Sequence, residues 1–204
     1  MPASNRIYFP QIAAGVWADW VKVVNVNNEA ANAEAVARNS MGQVVWSTTN
    51  ALRPYQGWVI PVDPVSAQQD VSLVVTSNRP IVGERHCHLG TEVLAFPGAS
   101  IEAKTTGTRL FYPEVVQGCS DNVRFFNITE NYAFISVIVR DISGFTFRQF
   151  SGQINPMGFV IFLDQHIGNV QGTLEAFATQ PCVGERHLHY GNGVAVGQLA
   201  QILN

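Results

Sequence analysis

Four of the five histidines in this 204-residue chain fall in two short stretches of nearly the same sequence. Val82-Gly83-Glu84-Arg85-His86-Cys87-His88 recurs as Val183-Gly184-Glu185-Arg186-His187-Leu188-His189, and a proline, Pro80 or Pro181, stands two residues before each. On an extended strand alternate side chains share a face. Glu84, His86 and His88 therefore point one way, as do Glu185, His187 and His189. Two imidazoles and a carboxylate on one face form a ligand set that suits a transition-metal ion. Residues two apart on a strand stand about 7 Å from each other, a gap that long side chains can close onto one ion. The plainer reading stacks the rings along a sheet surface and pairs each glutamate with an arginine. Pro80, Glu84, Arg85, Pro181, Glu185 and Arg186 then form a structural signature, with ion pairs across strands or between domains.

Other chemistries are poorly represented. His86-x-His88-x-x-x-Glu92, followed by Gly98, resembles the first motif of the cupin family, which implies a metal held inside a β-barrel by two histidines and a glutamate. The second stretch continues His189-Tyr190-Gly191-Asn192-Gly193 with no matching glutamate, and no second cupin motif follows; His166 has no counterpart in the first half. There is no nucleophile elbow, phosphate-binding loop or dinucleotide glycine pattern. Cys119 follows a glycine as a nucleophile could, but the first half has Val16 there. Trp17, Trp20, Trp46 and Trp58 could form a carbohydrate-stacking platform, although only Trp58 has an aromatic partner, Phe159, in the other half.

The elements that carry these residues repeat as well. The two stretches lie 101 residues apart, and the segments before them correspond. Arg6 to Pro10 matches Arg109 to Pro113, and Trp20 to Asn25 matches Asn122 to Asn127, each ending in an asparagine suited to a turn. Ala31 to Arg38 overlaps a stretch, Glu29 to Ala37, with the alanine content of a helix. Its counterpart, Ala133 to Arg140, is β-branched, so both are expected to be strands. Gly42 and Gly144 mark hairpin turns. Gly57-Trp58-Val59-Ile60 is matched with Gly158-Phe159-Val160-Ile161, and a loop from Asp63 or Asp164 leads to strands at 71–75 and around 174–177, then to the signature strand. The expected fold is all-β: two tandem antiparallel β-sandwich domains related by internal duplication, spanning 1–100 and 101–204 and joined through a short junction at 98–107.

Composition narrows the function classes. Charged residues are 13% of the chain, including only two lysines, Lys22 and Lys104, and the net charge is −3. That argues against nucleic-acid partners and leaves little like-charge repulsion to oppose self-association. No apolar run reaches the length of a membrane span. The three cysteines, Cys87, Cys119 and Cys182, occupy non-corresponding positions and read as free thiols rather than a disulfide framework.

The succession of features, closing on Ser77-Asn78-Arg79-Pro80-Ile81-Val82-Gly83-Glu84-Arg85, resembles the β-sandwich of the sensory rhodopsin transducer family and related tandem domains of bacterial surface proteins. The resemblance implies a non-enzymatic β-sandwich that works by association, as an oligomeric adaptor or a module of a surface array. The expected function is therefore a structural or adaptor protein whose partners are copies of itself. A carbohydrate- or metal-binding module is the alternative, and a cupin-like enzyme stands behind it. A metal ion at His86, His88, His187, His189, Glu84 and Glu185 is the one cofactor the pattern allows. Low charge and the surface-array resemblance point to a cell-surface or extracellular setting; a native start at Met1 and the free cysteines point to the cytoplasm.

Overall fold

The computed structural model describes residues 2–15, 17–66, 68–191 and 193–203, without the side chain of Ser66; Met1, Val16, Ala67, Asn192 and Asn204 lie outside them. The chain is all-β. Its first half contains β1 (Ser4–Ile12), β2 (Ala18–Asn25), β3 (Ala31–Arg38), β4 (Val44–Leu52), β5 (Gly57–Ile60), α1 (Asp63–Ser66), β6 (Val71–Leu89) and β7 (Glu92–Pro97). The second half follows the same order: β8 (Gly107–Val115), β9 (Ser120–Asn127), β10 (Ala133–Asp141), β11 (Thr146–Ile154), β12 (Phe159–Phe162), α2 (Asp164–Ile167), β13 (Gly172–Gly191) and β14 (Val194–Leu199), with a short β15 (Gln201–Ile202) added. Two expectations need correction. Single helical turns occupy the start of the loops at Asp63 and Asp164, and the signature is not a separate strand but the second part of β6 or β13, which run for 19 and 20 residues.

Those long strands organise each half into two layers. The first part of β6 pairs with β1 and β3, and its second part pairs with β2 and β7. The layers β4-β3-β6-β1 and β5-β2-β6-β7 thus share one strand that changes layer near Pro80, giving a sandwich-like arrangement with a bent corner. Strand β13 does the same near Pro181, joining β11-β10-β13-β8-β15 to β12-β9-β13-β14. Proline fits this corner because a residue leaving one ladder for another need not donate a backbone hydrogen bond. The free carbonyls are used instead: Pro80 accepts from Asn27 Nδ2 at 2.7 Å, and Pro181 from the Ile128 amide at 3.3 Å.

The alanine-rich segment is a strand, as its counterpart requires. Ala31, Ala33, Ala35 and Ala37 are buried, while the intervening residues face outward. Period-two burial has overridden local helix preference. The equivalent positions in β10 are Ala133, Ile135, Val137 and Val139. In the first half the smaller stripe shares its core with Trp46 and Trp58, and the second half has Arg148 and Val160 at those places.

Register also corrects the Trp58–Phe159 match. Val24 lies opposite Gly57 and Phe126 opposite Phe159, so Phe159 occupies the place of Gly57. A shift of one residue exchanges faces. Trp58 therefore lies in the core, and Phe159 lies on the outer face of its layer.

Asn25 and Asn127 are fully buried and close the same loop in each half. Asn25 Nδ2 donates to the carbonyls of Glu29 (2.8 Å) and Arg53 (3.0 Å), and its Oδ1 accepts from the Asn27 amide (3.1 Å). Asn127 donates to Asn131 (2.6 Å) and Asn155 (3.1 Å) and accepts from Thr129. Orphaning a buried carbonyl costs about 1–3 kcal/mol. Asn25→Ala should lower the unfolding free energy by at least about 2 kcal/mol in urea titrations. Asn25→Asp, which keeps the acceptor but loses the donor, should be no better, whereas full rescue by aspartate would contradict this role.

Candidate functional site

The signature glycine comes first in the local logic. A Cβ at Gly83 would approach Val23 to 3.0 Å and the Phe9 ring to 3.2 Å, and one at Gly184 would meet the Tyr112 hydroxyl at 2.7 Å. A side chain at either position would press on the core as the strand enters the second layer. Two residues on, the arginine points into the sandwich. Arg85 forks onto Asp19, with Nε to Oδ1 at 2.8 Å and Nη2 to Oδ2 at 2.9 Å. Arg186 forks onto Asp121 in the same way, Nε to Oδ1 at 2.9 Å and Nη2 to Oδ2 at 2.5 Å. Each arginine and aspartate is buried.

Here the halves diverge. The remaining Arg85 nitrogen, Nη1, donates to Glu185 Oε1 at 2.6 Å, and both side chains are wholly buried. Glu185 belongs to the other half, so one guanidinium ties Asp19 of its own sandwich to the second sandwich. Glu185 Oε1 also lies 2.7 Å from His187 Nε2. The His187 ring stacks on Phe96 at 4.9 Å, and the Arg85 guanidinium lies 5.2 Å from the centre of that same ring. Arg186 Nη1 donates instead to the Glu114 carbonyl of its own half.

This junction continues as an apolar contact. Tyr8, Val74 and Ala99 of the first half pack with Phe126, Met157, Phe159 and Val183 of the second. The turn at 39–42 lies against the chain before β12: the Ser40 carbonyl accepts from the Phe159 amide, and Gly42, at φ +80°, sits where any Cβ would collide with the Pro156 carbonyl. At the far end His189 Nδ1 stands 2.9 Å from Glu92 Oε2. The outer face of β9, β12, β13 and β14 is thus covered by the first half.

Burial sets the protonation of the cluster. Burial alone would lower the Arg85 pKa, but the charges of Glu185 and then Asp19 reverse this and hold it above its ordinary value. Glu185 shares that arginine with Asp19, and burial keeps its carboxyl above the usual range against the pull of Arg85 and Arg124. Arg124, opposite Glu185 on β9, is pushed down by burial to about 10. Burial, reinforced by Arg124 and Arg85, holds His187 well below the ordinary histidine value, so its neutral ring donates Nε2–H to Glu185.

The other histidine face meets solvent. The Glu84 side chain is 50% exposed and stands 3.7 Å from His86, whose ring stacks on Trp20 at 4.1 Å and lies 6.3 Å from that of His88. The six candidate metal ligands are therefore divided between an open surface and a buried junction. Among the described residues no group of three or more His, Cys, Asp or Glu is placed to hold a metal ion. Cys87, Cys119 and Cys182 are free, and burial pushes the Cys87 and Cys182 thiols up to about 12. Trp46 and Trp58 belong to the first-half core, Trp17 packs beside the His189 ring, and Trp20 is on the open face, so the four do not form one platform. His166 lies on α2, bonded locally to Leu163. Asp19, Asp121, Arg124 and Phe96 complete these contacts from outside the two signature stretches. The aspartates had a signal: each precedes the matched strands Trp20 to Asn25 and Asn122 to Asn127 by one residue.

Comparison with known proteins adds little beyond this. No family model matches the chain, and no curated protein does. Among solved structures, the crystal structure of Thermotoga maritima 1070 aligns at 12% identity and a TM-score of 0.42, over 48% of this chain and 95% of that one. A glycosyl hydrolase family 2 member from Bacteroides cellulosilyticus aligns at 12% identity and a TM-score of 0.23, over 95% of this chain and 25% of that one. A Bacteroides uniformis β-glucuronidase aligns at 8% identity and a TM-score of 0.19, over 93% and 25%.

Removing Arg85 leaves two buried carboxylates without their cation. Arg85→Met should cost about 3–5 kcal/mol in chemical denaturation, and adding Glu185→Leu should return part of that loss. A cost below about 1 kcal/mol for Arg85→Met would contradict the arrangement. Titration gives a second expectation. Below about pH 6.5 the unfolded chain binds a proton at His187 that the native chain refuses, so stability falls as pH drops through this range. Glu185, with its carboxyl held above the ordinary range, acts in the opposite sense at lower pH. Between pH 7.5 and 5.5 the unfolding free energy of His187→Gln should decline less steeply than that of the wild type, by up to about 1.4 kcal/mol per pH unit. Parallel profiles would exclude a buried neutral His187.

Proposed function

We propose that this chain is a non-enzymatic structural or adaptor protein that associates with copies of itself into a ring, filament or array. One observation carries the reading: the outer face of β9, β12, β13 and β14 is covered by the first half, whereas the corresponding face of β2, β5, β6 and β7 stands open. That open face presents Val24, Val59, Val82, Trp20, His86 and Val93, with Val59 58% and Val93 49% exposed. Its charges within the ladder of β2 and β6 are Lys22 and Glu84, directly opposite each other. A flat sheet face of low charge with aliphatic and aromatic residues has the composition of an interface core. The resemblance to association modules supports the same reading, which needs no metal or cofactor.

A second reading, a carbohydrate-binding module, is favoured by one feature. A groove of about 650 Å³ in the second half is walled by Phe134 and Phe177 over Ser136, Ser151, Gln153 and Thr179. The corresponding groove of about 660 Å³ in the first half, at Asn32, Glu34, Thr49 and Thr76, has no aromatic side chain. Apolar rings beside uncharged hydroxyls and amides suit a sugar.

Light scattering over a concentration series, with negative-stain microscopy and a chelator control, separates these. The expected result is species well above the 22.3 kDa chain that grow with concentration and survive the chelator. A monomer throughout would overturn self-association, and a monomer retarded on immobilised glycans would favour the second reading.

A further inference from the structure

We infer that copies join head to tail: the open face of β2, β5, β6 and β7 in one copy docks on the β8–β14 side of the second half of the next, repeating between chains the contact that holds the two halves of each chain together. This rests on the self-association proposed above and specifies its geometry. The receiving side differs between the two halves. In the first half, where it is occupied, Tyr8, Pro10 and Gln11 are buried; in the second half the matching Phe111 is half-buried and Pro113 and Glu114 are exposed. Leu94 is 1% exposed against its Ala195-bearing cover, whereas the corresponding Val196 is 39% exposed. The second half therefore carries the same receiving side without an occupant from its own chain.

The docking residues correspond strand by strand. On the covering face Ala195 packs against Leu94 and Phe96, and the residue at the place of Ala195 on the open face is Val93. Val93 of one copy thus comes over Val196 of the next. Phe126 and Val183, which pack on Tyr8, correspond to Val24 and Val82, which come over Phe111. Glu84 takes the place of Glu185 and approaches Arg186 as Glu185 approaches Arg85. Where the receiving side has changed most, Glu175 replaces Val74 and is held there by Arg109 of its own half at 2.6 Å. The two mating surfaces are different, so the contact is heterologous and propagates until a ring closes or a filament ends.

Two single-site variants test this. Val93→Glu blocks the open face and Val196→Glu blocks the receiving side, both at exposed positions where the fold, checked by circular dichroism and melting temperature, should persist. Each variant alone should be monomeric in light scattering at concentrations where the wild type assembles. An equimolar mixture should form a dimer of about 45 kDa, twice the 22.3 kDa chain, and nothing larger, because each partner retains one intact surface. If the wild type assembles and either variant alone assembles equally well, the face assignment is overturned while self-association stands. If both variants are monomeric and their mixture is too, the contact is not head to tail. If the wild type is itself monomeric at every concentration, both proposals fail together.

Discussion

A single buried guanidinium, that of Arg85, holds this molecule to one shape. It is shared between Asp19, beneath it in its own sandwich, and Glu185, which arrives from the other half. Buried ion pairs add little net stability compared with well-packed apolar groups, because the desolvation of each charge offsets the attraction. Their effect is selective: another orientation of the halves that kept Glu185 buried would take from it the Arg85 guanidinium it is bonded to. The apolar contact around Tyr8 and Phe126 supplies association energy without direction, and the arginine supplies the direction. His187 and Phe96 fill the remaining space around the carboxylate, which explains a neutral imidazole at the centre of a polar site.

The same heptapeptide has two fates, and its surroundings decide between them. Arg85 and Arg186 both fork onto an aspartate in the preceding strand, a role internal to each sandwich. Glu185 and His187 are enclosed by the other half, whereas Glu84 and His86 face solvent beside Trp20. Sequence identity between the stretches therefore reflects the shared internal role, whereas the outward-facing glutamate and histidines are enclosed in one half and open in the other. The self-association proposed above draws on that asymmetry.

Much of this was legible in the residues. The β-branched composition of Ala133 to Arg140 settled the strand character of the alanine-rich segment, and the strand alternation of the signature placed Glu84, His86 and His88 on one face and Arg85 on the other. The continuity of β6 was not legible, because a proline usually ends a strand and only the two-layer corner shows why this one does not. The Trp58–Phe159 match failed by one residue because glycine and aromatic cues in adjacent positions outweighed register, which only hydrogen bonding fixes. The division of the candidate metal ligands between surface and junction was hidden for a different reason: two stretches with the same glutamate and histidines cannot reveal which one a neighbour will cover.

Carboxylate footprinting by carbodiimide labelling, read by mass spectrometry over a range of protein concentrations, tests the central claim most directly. Glu185 should stay unlabelled at every concentration, and Glu84 should be labelled in dilute solution and become protected as concentration rises. Equal labelling of the two glutamates, or a Glu84 signal that does not change with concentration, would contradict the account.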